Sequence, residues 1–139
     1  MVYQATQTIS ERFEEASLRY EIHETEHFSL LECTMVTRHT TLVMRFLSSD
    51  DSNGVNLRVS RAVRFPQAKR AEVLRLVNAL NCEFRFVKFV VNDAEHSVDV
   101  LYDFPRSTAD AGETAMELIG RVPDIVDEAY PRLMRTIWG

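Results

Sequence analysis

Residues 76–105, LVNALNCEFRFVKFVVNDAEHSVDVLYDFP, constrain the fold more than any other part of the chain. The segment begins as the end of an amphipathic helix and continues as two apolar strands joined by a short polar turn. The second of these strands ends in the sequence Asp103, Phe104 and Pro105. This pattern of a helix followed by a hairpin indicates the fold of the chain. It contains no residues that point to a particular reaction.

Amphipathic helices are predicted on both sides of a group of strands. The first begins near Thr8, because Thr8 and Glu11 have the spacing of a capping box. The second follows Pro66, a residue that suits the first helical position, and ends at Asn81. Its apolar residues recur at intervals of three and four: Val73, Leu76, Val77 and Leu80.

The C-terminal segment predicts a third helix that opens at Asp110, where Asp110 and Glu113 again have capping spacing. Gly120 and Pro123 together predict a break or a kink, and Pro131 predicts a second disturbance. Apolar residues continue along one side of the segment: Met116, Ile119, Val122, Val126, Tyr130, Leu133 and Ile137.

Strands are predicted where apolar and β-branched residues alternate with polar ones. The alternation is cleanest in residues 55–65, where Val55 and Leu57 share one face and Asn56 and Arg58 share the other. One face of the sheet is therefore expected to be buried and the other largely exposed. The predicted extended segments are a short piece at 18–23, strands at 28–36, 40–47 and 55–65, and a hairpin of 84–91 and 97–104 with its turn at 92–95.

The predicted order of elements is α-β-β-β-α-β-β-α. It indicates an α+β fold in which helices pack on an antiparallel sheet. The 139 residues are the size of one domain, residues 1–139. In the first strand of the hairpin, Arg85 and Lys88 break the alternation, which is typical of a β-bulge.

The composition is that of an ordinary globular protein, with 45% hydrophobic and 27% charged residues. The net charge of −5 argues against nucleic acid and membrane surfaces as partners, because both attract clustered positive charge. The chain has neither an apolar run that would span a membrane nor a signal-peptide core, so a cytoplasmic location is expected. Cys33 and Cys82 lack the spacing of a metal pair, and both are predicted to be buried free thiols.

One string matches a catalytic motif. His23, Glu24, Thr25, Glu26 and His27 form H-E-x-x-H, in which two histidines one helical turn apart bind zinc and the glutamate activates water. That chemistry requires a helix, whereas the flanking residues alternate as strands. In an extended chain the two histidines lie about 13 Å apart, at about 3.3 Å per residue, which is too far to share one zinc ion. The pattern favours an exposed polar turn or strand joint over a metal site.

Basic residues form a second candidate site. A patch for an anion or an acidic partner is the functional interpretation, and a solvated sheet face with Asp99 and Asp103 as cross-strand partners is the favoured one. The basic residues in question are Arg58, Arg61 and Arg64 on one predicted strand and Arg85 and Lys88 on another.

Three other polar features are interpreted as structural. Arg61 falls on the same parity as the core residues of its strand, which indicates an edge, a bulge or a salt bridge. The loop DDSNG at residues 50–54 lacks the terminal glutamate of a calcium-binding loop and is predicted to be a plain turn. His39 and His96 lie in predicted turns and are expected to be solvated.

The order of elements and several segments of the chain resemble the bacterial YbjN family. These segments are the helix end LVNALN, the hairpin FRFVKFVVND with VDVLYDFP, and the closing LIGRVPDIVDEAYPRLM, and the resemblance covers residues 9–133. It implies a small, acidic, cytoplasmic bacterial protein of the kind labelled a sensory transduction regulator, with a fold like that of the type III secretion chaperones. The hairpin turn at residues 92–95 departs from the glycine-bearing turn that the family leads us to expect.

The function predicted from these features is a non-enzymatic, chaperone-like or regulatory protein-binding domain. No catalytic, cofactor-binding or metal-binding residue is assigned, and no cofactor is expected. The strand at 40–47 has apolar residues on both faces, for example Met44 and Phe46 against Val43 and Leu47. Because a small domain covers only one face of its sheet, this surplus predicts a homodimer interface or a groove for a client protein.

Two alternatives stay open at this point. A dedicated secretion chaperone differs from the favoured function only in its client. A small zinc-dependent hydrolase would use His23, Glu24 and His27. The position of Trp138 is also open, since it either joins the interface or caps the core.

Overall fold

The computed structural model describes residues 2–49, 54–105 and 108–139. The helices and strands within these ranges are α1 (Gln4–Glu15), β1 (Glu21–Glu24), β2 (Ser29–Val36), β3 (Thr41–Ser48), β4 (Val55–Arg64), α2 (Arg70–Glu83), β5 (Lys88–Asn92), β6 (Ser97–Asp103) and α3 (Ala111–Trp138). A 3-10 turn, Gln67–Lys69, precedes α2. The α+β fold and the order of elements are confirmed, and the short extended piece predicted at 18–23 corresponds to the additional strand β1.

The strands form one antiparallel sheet in the order β1-β2-β3-β4-β6-β5. The first four strands are neighbours in chain order, and the hairpin of β5 and β6 joins the sheet through β6. One edge of the sheet therefore belongs to β1 and β2, and the opposite edge belongs to β5.

Helices cover only one face of this sheet. On β3, Leu42, Met44 and Phe46 are buried, whereas Val43 and Leu47 are half-buried. The buried residues form one core together with apolar residues of all three helices. The other side of the sheet, which we call the outer face, has no helix on it in the described ranges. The predicted asymmetry between the two faces is thus confirmed.

The third helix is continuous across Gly120, Pro123 and Pro131, so the break predicted there is wrong. An apolar side that stays buried along the whole helix stabilises it, and this packing offsets the backbone hydrogen bonds that the two prolines remove. The predicted cap is confirmed, because the Asp110 carboxylate accepts the Glu113 backbone N–H at 3.1 Å.

The first and third helices cross at a close contact. A Cβ atom at Gly112 would lie 2.9 Å from the Cβ of Arg12 and 3.1 Å from the carbonyl oxygen of Thr8. Beside this contact the Arg12 guanidinium donates to the Glu113 carboxylate. That hydrogen bond raises the pKa of Arg12, and it ties the start of α3 to the last turn of α1.

Two helix ends differ from their predicted positions. The first helix begins at Gln4 instead of Thr8, because the fully buried Ala5 extends its apolar side by one more turn. The second helix continues past Asn81 to Glu83. Asn81 is not the helix stop, since its side chain bonds to β5.

Burial of the cysteines and of Trp138 was only partly predicted. Cys33 is a buried free thiol as expected, but Cys82 is exposed, because the longer α2 places it on the solvent side of a helix. Trp138 is 68% exposed and does not cap the core, whereas its neighbour Ile137 is buried there.

The bulge lies in β4 and not in the hairpin. Pairing advances from Val59 to Val63 on β4 while β6 moves only from Val100 to Val98, so β4 holds the extra residues. Arg61 sits within the bulge with a φ of 56°. The first hairpin strand begins only at residue 88, and the irregular residues before it lie outside the sheet.

Candidate functional site

The sheet edge beside β1 is only partly covered. β1 pairs with β2 from Ser29 to Glu32, and Glu21 opposite Glu32 is the last pair. β2 continues to Val36 and is paired with β3 along its whole length. The β1 side of residues 33–36 therefore has no strand partner in the part of the chain that the structure describes. We call this side of residues 33–36 the open edge.

The backbone of Thr34 and Val36 faces the open edge. Successive residues of an antiparallel strand direct their N–H and C=O groups alternately to one neighbour and to the other. In the turn between β2 and β3, the Thr37 N–H donates to the Thr40 carbonyl at 2.8 Å. This pair faces β3, so Thr34 and Val36 direct their backbone groups away from β3. The open edge thus presents the donors and acceptors of two residues to an added strand.

A groove of about 690 Å³ runs along the open edge. Its lining comes from the end of α1, from the connection to β1 and from β2: Glu14, Leu18, Arg19, Tyr20, Cys33 and Thr34, with the carboxylates of Glu21 and Glu32 at the β1 end. Beyond the groove, the side chain of Val36 is 78% exposed. The site thus combines backbone donors and acceptors at a sheet edge with apolar and charged side chains.

Carboxylates outnumber cations along the groove. Glu14, Glu21 and Glu32 line it, and Arg19 is the basic residue among the lining side chains. The Tyr20 hydroxyl donates to Glu14 at 2.6 Å, and this hydrogen bond, followed by burial, raises the pKa of Tyr20. The groove therefore favours basic groups in whatever binds it.

Cys33 in the wall of the groove is a buried thiol. Burial, followed by the charge of Glu32, raises the pKa of the thiol to about 12. A thiol with such a pKa stays protonated at neutral pH, whereas catalytic cysteines have lowered pKa values. Cys33 thus lacks the lowered pKa that is typical of a catalytic cysteine.

At the opposite edge of the sheet, a side chain satisfies the backbone of one residue of β5. The Asn81 amide donates to the carbonyl of Phe89 at 2.9 Å, and its oxygen accepts the Phe89 N–H at 2.7 Å. These two bonds take the place of a neighbouring strand at Phe89, the second residue of β5. Exposed edges recruit other strands, and covering them is a common way to prevent it.

The H-E-x-x-H residues do not form the helical zinc site. His23 and Glu24 lie on β1, and His27 lies in the turn that follows. The Thr25 hydroxyl accepts the backbone N–H of both His27 and Phe28 at 3.1 Å, which makes residues 25–28 a compact turn. The prediction of an exposed polar turn or strand joint is confirmed.

The predicted basic residues do not form one surface. Arg58 and Lys88 lie in one row across the outer face, whereas Arg85 precedes β5 and is off the sheet. Among the described residues, Asp103 accepts a hydrogen bond from the Asn56 side chain and from no arginine. A continuous anion site on the sheet is therefore not supported.

Asp99 supports the bulge of β4 instead of pairing with the basic row. It is buried and accepts the Arg61 backbone N–H at 2.9 Å, the Ser97 hydroxyl at 2.9 Å and the Asn92 amide at 3.2 Å. The Arg61 side chain pairs with Glu95 at 3.5 Å. Two of the three predicted interpretations of Arg61 are thus confirmed: it lies in a bulge, and its side chain forms a salt bridge.

The two turn histidines differ in their contacts. His96 is exposed in its turn, as expected. His39 stacks on Tyr130 with 5.2 Å between ring centroids, and its ring nitrogen lies 3.1 Å from Asp127, so it anchors the β2–β3 turn to α3. The predicted plain turn at residues 50–54 falls mostly outside the described ranges.

The residues that define the edges were not singled out by their sequence pattern. A usable signal for the open edge was the difference in length between the extended piece at 18–23 and the strand at 28–36, because a short strand leaves part of a longer neighbour unpaired. No comparable signal exists for Asn81, since an asparagine near a helix end is typical of a helix stop.

Comparison with known proteins identifies the family of this chain. A family model described as "putative bacterial sensory transduction regulator", YbjN, matches residues 6–134, which is nearly the whole chain. No curated protein and no solved structure matches the chain. Within the described ranges, no helix has both the length and the apolar character that crossing a membrane requires.

Proposed function

The chain belongs to the YbjN family, and we propose that it is a non-enzymatic regulator that binds an extended segment of a partner protein along the open edge of β2. The family description supports a regulatory role. The binding mode is chaperone-like, because the segment would be held in an extended form by main-chain hydrogen bonds. In this mode the bound segment becomes an added strand of the sheet.

The contrast between the two sheet edges carries this proposal. The Asn81 side chain satisfies the backbone of Phe89 at the β5 edge. At the other edge, Thr34 and Val36 direct their backbone groups away from β3, and Thr34 lines a groove of about 690 Å³. A protein that covers one edge with a dedicated side chain and leaves the other beside a groove is organised to accept a strand on that second side.

The groove also indicates the chemistry of the partner segment. Main-chain hydrogen bonds to Thr34 and Val36 require the bound segment to be extended. They do not discriminate between amino-acid sequences. Alternate side chains of the segment would face the groove, where Leu18 and Tyr20 provide apolar surface and three glutamates provide negative charge. We therefore expect a segment in which apolar and basic residues alternate. A dedicated secretion chaperone would use the same edge and differ only in its client.

The test uses short random peptides displayed on phage and selected on the immobilised protein, followed by hydrogen exchange with a synthetic copy of a selected peptide. The peptide should slow exchange of the Thr34 and Val36 amides. A Thr34→Pro variant should bind it at least tenfold more weakly, because proline removes the donor at the open edge and leaves the bonds to β3 in place. Thr34→Val is the matched control, since it keeps the backbone donor and should bind normally.

Three results would overturn the proposal. One is protection confined to β5 or to the outer face, and another is unchanged binding by a folded Thr34→Pro variant. The third is slowed exchange of the same amides in the protein alone as its concentration rises, because a second copy would then occupy the edge. Should Thr34→Pro not fold, Val36→Pro offers the same test at the far end of the open edge.

A further inference from the structure

Three ligand-type side chains meet on the outer face beside the open edge. Glu21, His23 and Glu32 each contribute one oxygen or nitrogen atom, and these atoms all lie within 4.8 Å of one another. The strand register explains the grouping: Glu21 is directly opposite Glu32, and His23 is two residues further along β1 on the same face. The cluster contains the first histidine of the H-E-x-x-H string but neither Glu24 nor His27.

The local charge favours a cation at this position. Two carboxylates directly opposite each other on neighbouring strands repel. The neighbours offset this only in part, because Glu32 bonds to the Arg45 guanidinium at 2.9 Å and Glu21 lies 3.5 Å from the His23 ring. A divalent ion between the three groups would neutralise the repulsion that remains.

The ligand set selects a class of ion. Zinc binds imidazole and carboxylate ligands at about 2.0–2.2 Å, which places two ligand atoms of one ion about 3–4 Å apart. The three side chains are exposed or half-buried, their ligand atoms all lie within 4.8 Å of one another, and the His23 Nε2 and Glu21 Oε2 atoms are already 3.5 Å apart. One nitrogen and two oxygens suit zinc and similar transition metals, whereas calcium and magnesium prefer all-oxygen sites.

We propose that Glu21, His23 and Glu32 form a binding site for one divalent transition-metal ion of the zinc type. The remaining coordination positions belong to water, because the site is open to solvent. The Arg45 side chain competes with the ion for Glu32. The site shares Glu21 and Glu32 with the groove, but its test requires no partner segment.

The experiment is calorimetric titration of Zn²⁺ into untagged, chelator-treated protein in a Cys82→Ser background, because the exposed Cys82 thiol is itself a zinc ligand. One ion per chain should bind. His23→Gln and Glu32→Gln should each weaken binding at least tenfold. Arg45→Gln should tighten it several-fold by releasing Glu32, a gain that loss of fold does not produce.

His27→Ala is the matched control, since His27 lies in the same hairpin and outside the cluster. It should bind zinc as the parent does. Loss of binding in His27→Ala would assign the ion to H-E-x-x-H, and binding that survives His23→Gln would assign it to another surface. Either result, or the lack of any one-to-one binding, would overturn the proposed site. All of these outcomes leave the peptide-binding test unaffected.

Discussion

The side chain of Asn81 forms two hydrogen bonds with the backbone of Phe89, donating to its carbonyl at 2.9 Å and accepting its N–H at 2.7 Å. The Asn81 amide thereby takes the place of a neighbouring strand at one residue of β5. It also fixes α2 against the hairpin, because Asn81 lies in the last turn of that helix. The β5 edge is thus covered at Phe89, whereas residues 33–36 of β2 have no such cover in the described ranges.

Replacing Asn81 with alanine should both destabilise the protein and expose the β5 edge. Loss of two hydrogen bonds is expected to lower the free energy of unfolding by about 1–3 kcal/mol, measured by urea denaturation. The variant should also self-associate more strongly in sedimentation velocity, because an unsatisfied edge recruits other strands. Asn78→Ala, an exposed asparagine on the same helix, is the control. Equal stability and mass for the two variants would contradict the capping role of Asn81.

Two glycines of α3 should respond oppositely to alanine. Gly112→Ala places a Cβ atom 2.9 Å from Arg12 and should cost about 1–3 kcal/mol, since the α1–α3 crossing must widen. At Gly120 nothing lies within 4 Å of the added atom, and alanine should stabilise the helix by about 0.5–1 kcal/mol. Thermal or urea unfolding of both variants measures the difference. Stabilisation by Gly112→Ala would show that the two helices do not cross as closely as described.

Asp127 should make stability depend on acid pH. Burial alone would raise the pKa of this carboxylate, but hydrogen bonds from the Arg38 backbone, the Thr37 hydroxyl and His39 lower it to about 2 from 3.8. Because the folded pKa is below the unfolded one, the stabilisation is complete above about pH 5 and is lost as the pH falls toward 2. The difference in Tm between the natural protein and Asp127→Asn should therefore shrink in that window.

Asp124, an exposed carboxylate one turn earlier on α3, supplies the control for that measurement. Asp124→Asn should change Tm far less at neutral pH than Asp127→Asn does. A Tm difference for Asp127→Asn that stays constant from pH 7 to pH 2 would rule out the proposed contribution of Asp127.

The homodimer predicted from the sequence should use the outer face. Leu30, Val43 and Leu47 are half-buried there without a covering helix, and Asn56 and Arg58 border them with polar groups. An apolar centre with a polar rim is typical of interfaces. Leu47→Lys should therefore convert a dimer to a monomer in sedimentation equilibrium, with an unchanged circular dichroism spectrum.

Trp138→Ala distinguishes this interface from one at the C-terminus, because Trp138 is a large exposed apolar side chain there. It should leave the mass unchanged. A monomeric natural protein, or a dimer lost only in Trp138→Ala, would reject the outer face as the interface.

Patterns that repeat along the chain were readable from the sequence. The alternation in residues 55–65 placed Val55 and Leu57 on the buried face, and the spacing of Asp110 and Glu113 located a helix start. Such features depend on residues that are close together in the chain, so they can be read directly from the sequence. They were sufficient for the fold class, for the order of elements and for rejecting a helical zinc site.

Contacts between distant segments were decided only by the tertiary structure. Asn81 reaches Phe89 because α2 packs beside β5, so its side chain closes an edge where its position in the helix indicated a stop. Glu21 and Glu32 belong to different strands, and only the register places them opposite each other. The open edge likewise results from the point at which β1 ends beside β2. Each of these depends on how elements are aligned in space, and local periodicity contains no information on that alignment.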